Sequence, residues 1–389
     1  MAVPDRAYTG ERVRLGWGEQ LLSSPIGTPV AGTTWIGKLR PGTLSGFGAK
    51  NIHDHKYFSG DGRLPSERVL HGVDIGPISF TYELQNGIFL VPLFGSVSDE
   101  GVDDDTGGST LNTASVVGAT TVDLVSEAGY AISDVIAIDE GVLTGECRTI
   151  TALAPITFVQ PLRRVHAAGV TCNEVIAPFT HTLFTGNTFP FPFTLQGVWD
   201  PGETNEVAKA MAGCHIQEAQ LAQDLDGEVT CTPTVIGSKP NNVVAPASLP
   251  TALTTPSYLF SQLAATYSSL PAVDGVQSWT ANIRNGGSMR RWAQATDAEF
   301  AAEYIPDQAH FAHELVKILR RDDSWDAMLA RTDPVTGDLL YTRGGSDTFK
   351  LDMTAMVIKQ ADSDAPEGGV EESVSFEPGE IRLVFVDTI

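Results

Sequence analysis

The feature that most restricts the fold is a two-residue period. Apolar and polar residues alternate in Ile78–Leu84 (Ile-Ser-Phe-Thr-Tyr-Glu-Leu), in Phe349–Val357 and in Glu371–Phe376, with Gly, Pro or Asp at the boundaries. Alternation puts every second side chain on one face of a strand, so these runs bury an apolar face as half-exposed β-strands. Helical patterning is sparse. Asn205–Ala212 follows Pro201-Gly202-Glu203-Thr204 and stops at Gly213, which predicts a short helix with Thr204 as N-cap. Ser324–Ala330 predicts a second one. Phe311–Leu319 fits either period and is assigned to strand. The class is mainly β.

The chain also repeats itself. Phe80-Thr-Tyr-Glu-Leu-Gln-Asn-Gly87 and Trp279-Thr-Ala-Asn-Ile-Arg-Asn-Gly286 share one pattern, led in by Gly76-Pro77 and Gly275-Val276. A second pair follows in the same order. Cys214–Leu221 runs through a polar turn into Gly227–Val235; Phe349–Val357 runs through the acidic turn Ala361–Glu367 into Gly369–Phe376. Two matches in order predict a tandem duplication.

Between the halves of the first unit the texture changes. Asp99–Gly108 is rich in Asp and Gly and reads as a loop. After it come short strand-like runs (Gly118–Val125, Ala128–Ile138, Cys147–Leu153, Ile156–Val159) at a spacing that suggests a small sandwich or barrel over residues 109–177. A chain of 389 residues has room for two or three domains at roughly 150 each. The expected division is a first unit of residues 1–98 and 178–243, an inserted β-domain of 99–177, and a second unit of 244–389.

Charge excludes some partners. Asp and Glu number 48 against 25 Lys and Arg, for a net charge of −23. Such a chain repels phosphates and is not expected to read nucleic acid. The acidity suits a halophilic source, where salt screens self-repulsion, or a wall past which an anion must slide. No apolar run approaches the roughly 18 residues that span a bilayer, and the first residues lack the pattern of a secretory signal, so neither is expected.

Chemistry-bearing motifs are scarce. Cys147, Cys172, Cys214 and Cys231 occur singly; Cys147/Cys172 and Cys214/Cys231 can face each other on neighbouring strands, but small buried thiols are the simpler reading. His53-Asp54-His55 with His71 lacks a third metal ligand at a sensible spacing and reads as a solvated loop. Asp103-Asp104-Asp105 lacks the grammar of a Ca²⁺ loop. Asp322-Asp323 and Asp362/Asp364 read as acidic turns. With no nucleophile elbow, phosphate loop, dinucleotide fingerprint or zinc-protease motif, no enzyme activity, cofactor or metal is expected.

The order of several motifs resembles a known family. Pro178–Phe184 leads into Thr188–Leu195, then Met211–Ile216 and Gly227–Lys239, and later Trp279–Gly286 and Phe349–Phe376. This sequence of strands is similar to the major tail tube protein of siphovirus-like tailed viruses. Gly118–Val175 resembles a small β module often appended to viral and surface proteins. The likeness covers most of residues 70–389; the departures are the insertion and the second, fused copy.

The resemblance implies two tandem tail-tube-type β-sandwich units with short helices. Their long hairpins join those of neighbouring subunits into an inter-subunit β-barrel, and the insertion stands outside it as a small β-barrel or sandwich. Single-unit members form six-membered rings, so two fused units imply a homotrimeric pseudo-six-fold ring, with a homohexamer as the alternative. Rings stacked head to tail would make a tube in the virion, assembled in the host cytoplasm. The tube would hold a tape-measure protein and transiting DNA without sequence-specific binding. Tail terminator and baseplate proteins would meet its ends, and no membrane contact is implied. An acidic lumen would let DNA pass during ejection. The first 70 residues, with Trp17, Leu21, Leu22, Trp35 and Ile36, suit an arm between rings. A terminator or baseplate β-protein, or less readily a surface adhesin, are the rival readings.

Overall fold

The computed structural model describes the chain except residues 1–12, 21–28, 33, 59–64, 141–142, 186–189, 200–206, 242–251, 269–274, 291–302, 319–327, 329–333, 345, 365–369 and 388–389. It is built almost wholly of antiparallel strands. The first part holds β1 (Val13–Glu19), β2 (Thr34–Trp35), β3 (Lys38–Leu39), β4 (Ala49–Phe58), β5 (Pro65–Ser79), β6 (Tyr82–Glu83), the short helix α1 (Val91–Phe94) and β7 (Gly95–Thr110). Next come β8 (Thr121–Val122), β9 (Val135–Ile138), β10 (Glu146–Ala152), β11 (Ile156–Phe158) and β12 (Thr171–Thr185). They are followed by β13 (Phe193–Trp199), β14 (Val207–Asp224), β15 (Thr230–Gly237) and β16 (Lys239–Asn241). The last part holds β17 (Leu263–Tyr267), β18 (Val276–Arg284), β19 (Ser288–Arg290), β20 (Glu303–Ile305), β21 (His310–Ile318), β22 (Val335–Thr342), β23 (Thr348–Asp364), β24 (Glu371–Glu377) and β25 (Glu380–Asp387).

Two long strands tie three sheets together. β14 pairs with β13 and β16 over its first half, then with β15 and β18 over its second. β23 pairs with β22 and β25 first, then with β24. Each changes sheet at a residue with left-handed backbone, Gly213 (φ 63°) and Ala355 (φ 51°). The central sheet therefore runs β4–β5–β15–β14–β18–β21–β24–β23. On one flank lies β2–β1–β13–β14–β16; on the other, β17–β22–β23–β25–β12–β7. Among the described residues no sheet closes on itself.

Alternation dictates the core. In β15 Cys231, Pro233, Val235 and Gly237 are buried and the intervening residues are not. The inward rows meet the flanking sheets in one continuous cluster, with Trp17, Phe80, Tyr82, Phe89 and Phe193 at one end and Tyr258, Trp279, Tyr341 and Phe349 at the other. The apolar run from Ile88 forms a 3₁₀ turn and then α1, whose four residues are all buried; Gly95 (φ 73°) ends it. A separate apolar cluster, including Leu111, Ile136, Ile138, Ile150, Phe158 and Leu162, packs inside the β8–β11 region.

Several sequence expectations need correction. The helix expected over Asn205–Ala212 is strand from Val207 onward, because β13 offers a full hairpin partner and tertiary pairing overrides local helix propensity; Thr204 lies outside the described residues. The loop expected over Asp99–Gly108 is most of β7, which pairs along β12 to make a long ribbon. The acidic turn at Ala361–Glu367 is still β23 as far as Asp364. The matching octapeptides are not equivalent: Phe80 sits between β5 and β6 beside β15, whereas Trp279 lies mid-strand in β18 between β14 and β21. Phe311–Leu319 is strand as expected, over β21. The helix expected over Ser324–Ala330 falls outside the described residues apart from helical Met328.

Candidate assembly surface: an acidic face between two open edges

The central sheet has one buried face and one face turned to solvent. On the solvent face stand Glu83, Glu218, Asp224, Glu314, Asp362, Glu371 and Glu377, against the cations Lys38, Arg284 and Lys359. Between the charges are hydroxyls. Thr81 and Thr232 share a hydrogen bond of 2.9 Å, and Ser373 donates to Glu314 at 3.1 Å. The apolar positions there are aliphatic, such as Ala222, Ile236, Ala312 and Val316. Lys359, beside Glu377, holds that carboxyl below its usual range. Such a face is negative, smooth and poor in sites that grip phosphate.

The sheet ends in two edges. Among the described strands, β4 pairs only with β5, and β23 over 357–364 pairs only with β24. Exposed strand edges invite pairing with another chain.

Two buried charge groups lie off this face. Lys317 Nζ sits 2.9 Å from Glu372 Oε2, with both side chains almost fully buried. The second group joins the β8–β11 region to the main body. Arg148 bonds Glu146 and lies 3.7 Å from Asp99, Arg163 pairs with Glu19 at 3.0 Å, and His181 Nδ1 meets Asp99 at 2.8 Å. Burial alone would raise the Asp99 carboxyl; the His181 hydrogen bond and the charges of His181, Arg163 and Arg148 outweigh it and hold it below the usual range. Burial likewise opposes ionisation of Glu146, but His166, Arg148 and the Arg163 backbone hold it low. His181 responds in the opposite sense: burial disfavours its charge, yet Asp387 and Asp99 push it up to about 9.

The sequence-stated candidates are dispersed. His53, Asp54 and His55 lie in β4 and His71 in β5, so this stretch is strand rather than loop; their side chains are outside the described residues. Asp103, Asp104 and Asp105 lie in β7, and Asp322-Asp323 lie outside the described residues. All four cysteines are free; β9 separates Cys147 from Cys172, and burial pushes every thiol up. Sequence reading missed Lys317–Glu372. The signal was there: Glu372 shares the inward phase of Val374 and Phe376.

Comparison with protein-family models gives no match, and comparison with curated proteins gives none.

Proposed function

We propose that the chain is a virion structural protein, the major tail tube subunit of a siphovirus-like virus, which conducts DNA through stacked rings. One observation carries the reading: the strand pattern occurs twice, in chain order. β1, β4, β5, β13, β14, β15 and β16 correspond to β17, β18, β21, β22, β23, β24 and β25. β1–β13 recurs as β17–β22, β4–β5 as β18–β21 and β13–β14 as β22–β23. β14–β15, β5–β15 and β14–β16 recur as β23–β24, β21–β24 and β23–β25. The bulge between β14 and β15 recurs between β23 and β24, at Ile216/Glu218 and Ile358/Gln360. The duplication thus rests on topology and on Gly227–Val235, which aligns with Gly369–Phe376 to within a residue. Cys214 matches Met356, so Cys214–Leu221 and Phe349–Val357 share a strand but not a register, and the residue in Phe80's position is Leu315, not Trp279.

The two units are joined strand to strand through β14–β18. Repeating that joint between copies satisfies both open edges and closes a barrel. Three copies, each giving the central sheet eight strands, make a pseudo-six-fold ring. The acidic, hydroxyl-lined face then becomes a lumen that repels phosphate. Head-to-tail stacking of rings is heterologous and produces a tube. The β8–β11 region, carried on the β7–β12 ribbon, stands outside as a decoration, and the tape-measure, terminator and baseplate proteins meet the lumen and ends. Electron microscopy of the purified protein tests this. Long uniform tubes are expected; isolated rings would indicate a terminator or baseplate component, and monomers would refute the proposal.

A further inference from the structure

The internal joint also specifies how two chains meet. We propose that β23 of one copy pairs with the β3–β4 edge of the next in the register that β14 and β18 use within the chain, placing Ala361 opposite Ala49. This rests on the ring reading above and adds the identity of the edges and their alignment.

The alignment follows from the repeat. Ile216 and Ile358 precede the same bulge and face Val235 and Phe376; hence Ala219 corresponds to Ala361. Val235 and Phe376 in turn face Ile78 and His313 on the next strand. β5 carries one extra residue near Gly76-Pro77, where its register with β15 shifts. Beyond it, inward-facing Ile75 matches inward-facing Phe311. Ile75 faces Ala49 and Phe311 faces Ile283. Since Ala219 faces Ile283, its counterpart Ala361 should face Ala49. The next residues agree: Asn51 then matches Asn285, whose amide donates to the Gln217 carbonyl at 2.7 Å beside the internal joint.

Exposure supplies an independent indication. His215, immediately before Ile216, is 3% exposed because its ring stacks on Tyr304 of β20, 4.0 Å away. Its counterpart Val357 is 45% exposed. Ala49 is likewise exposed, whereas Ile283 is fully buried. Both apolar positions are open where the other unit has them covered, as expected if a second copy covers them. The joint would seat Val357 against the β4–β5 hairpin of its neighbour, as His215 sits against the β18–β21 hairpin.

Cysteine pairs test the joint. In one chain Ala49 and Ala361 lie at opposite ends of the sheet, some seven strand spacings of about 4.8 Å apart, too far for a disulfide. The Ala49→Cys/Ala361→Cys protein, assembled and mildly oxidised, should therefore give covalent dimers and trimers on a non-reducing gel, ending at trimer. Thr43→Cys/Ala361→Cys, about 20 Å out of register, should give none, and Glu218→Cys/Arg284→Cys should link only within the chain. Tubes or rings that form without the Ala49–Ala361 link would overturn the joint and leave the ring reading standing. Absence of any assembly by wild-type protein would overturn both. Species beyond trimer would keep the joint but overturn a three-copy ring. If the cysteine variants fail to assemble, hydrogen exchange on wild-type protein decides: amides of 357–364 and 43–52 should gain protection together on assembly, and no gain would overturn the joint.

Discussion

The buried pair Lys317–Glu372 makes the duplication testable at the level of energy. Counting along the paired strands, Lys317 occupies the position of Tyr82 and Glu372 that of Cys231; each pair faces across the same ladder. One unit thus fills this core position with an aromatic and a thiol, the other with an ion pair whose charges are 2.9 Å apart and 3% and 0% exposed. Removing one member strands the other charge in the core, at about 3–5 kcal/mol. Glu372→Gln or Lys317→Met should each lose about that much in urea unfolding of the unassembled chain. Exchanging both for the other unit's residues, Lys317→Tyr with Glu372→Cys, removes the charges and roughly conserves volume, since the gain from Lys to Tyr offsets the loss from Glu to Cys. The double variant should therefore lie within about 1 kcal/mol of wild type. The coupling energy in the cycle should be at least about 3 kcal/mol. Singles costing under about 1 kcal/mol, or a double as costly as the two singles together, would refute the equivalence.

Other consequences can be checked on the same protein. Ala355 holds a left-handed backbone at the position where the other unit has Gly213, so Ala355→Gly should raise stability by up to about 1 kcal/mol and Gly213→Ala should lower it by about 1–2 kcal/mol in thermal melts. His181 is raised to about 9 by Asp387 and Asp99 against the effect of burial; its stabilisation is full below its unfolded value near 6.5 and fades as pH rises through about 9. His181→Gln should flatten stability across that window. Asp99 and Glu146 are held low, so their contribution is present above about pH 4.5 and is lost as pH falls through their depressed values. Arg148→Met leaves both carboxylates buried without their guanidinium and should cost about 3–5 kcal/mol, seen as faster proteolysis within residues 111–170.

The strands carrying a two-residue period were legible in the sequence, because burial of one face leaves that imprint: β15, β23 and β24 lie where alternation puts them, while β21 fitted either period. Strands without it were not. β7 is rich in Asp and Gly and owes its conformation to β12, a partner more than sixty residues away. The start of β14 has Ala-rich helical composition but is held by β13. The aromatic-Thr…Asn-Gly match misled, since two short strands ending in a turn can share residues without sharing a place. The candidate assembly surface was legible only as net acidity. Which carboxylates share a face depends on ladder registers across strands from both ends of the chain, and the open edges exist only once every other pairing is known.

The central claim is that two like units in one chain are completed by sister copies around a conduit. A helical reconstruction of the assembled protein tests it most directly. The proposal requires three chains per ring, a continuous barrel of about 24 strands, and Glu218, Glu314 and Glu371 pointing into the bore. Six chains per ring, a central sheet facing outward, or a chain whose two edges stay unpaired would contradict it.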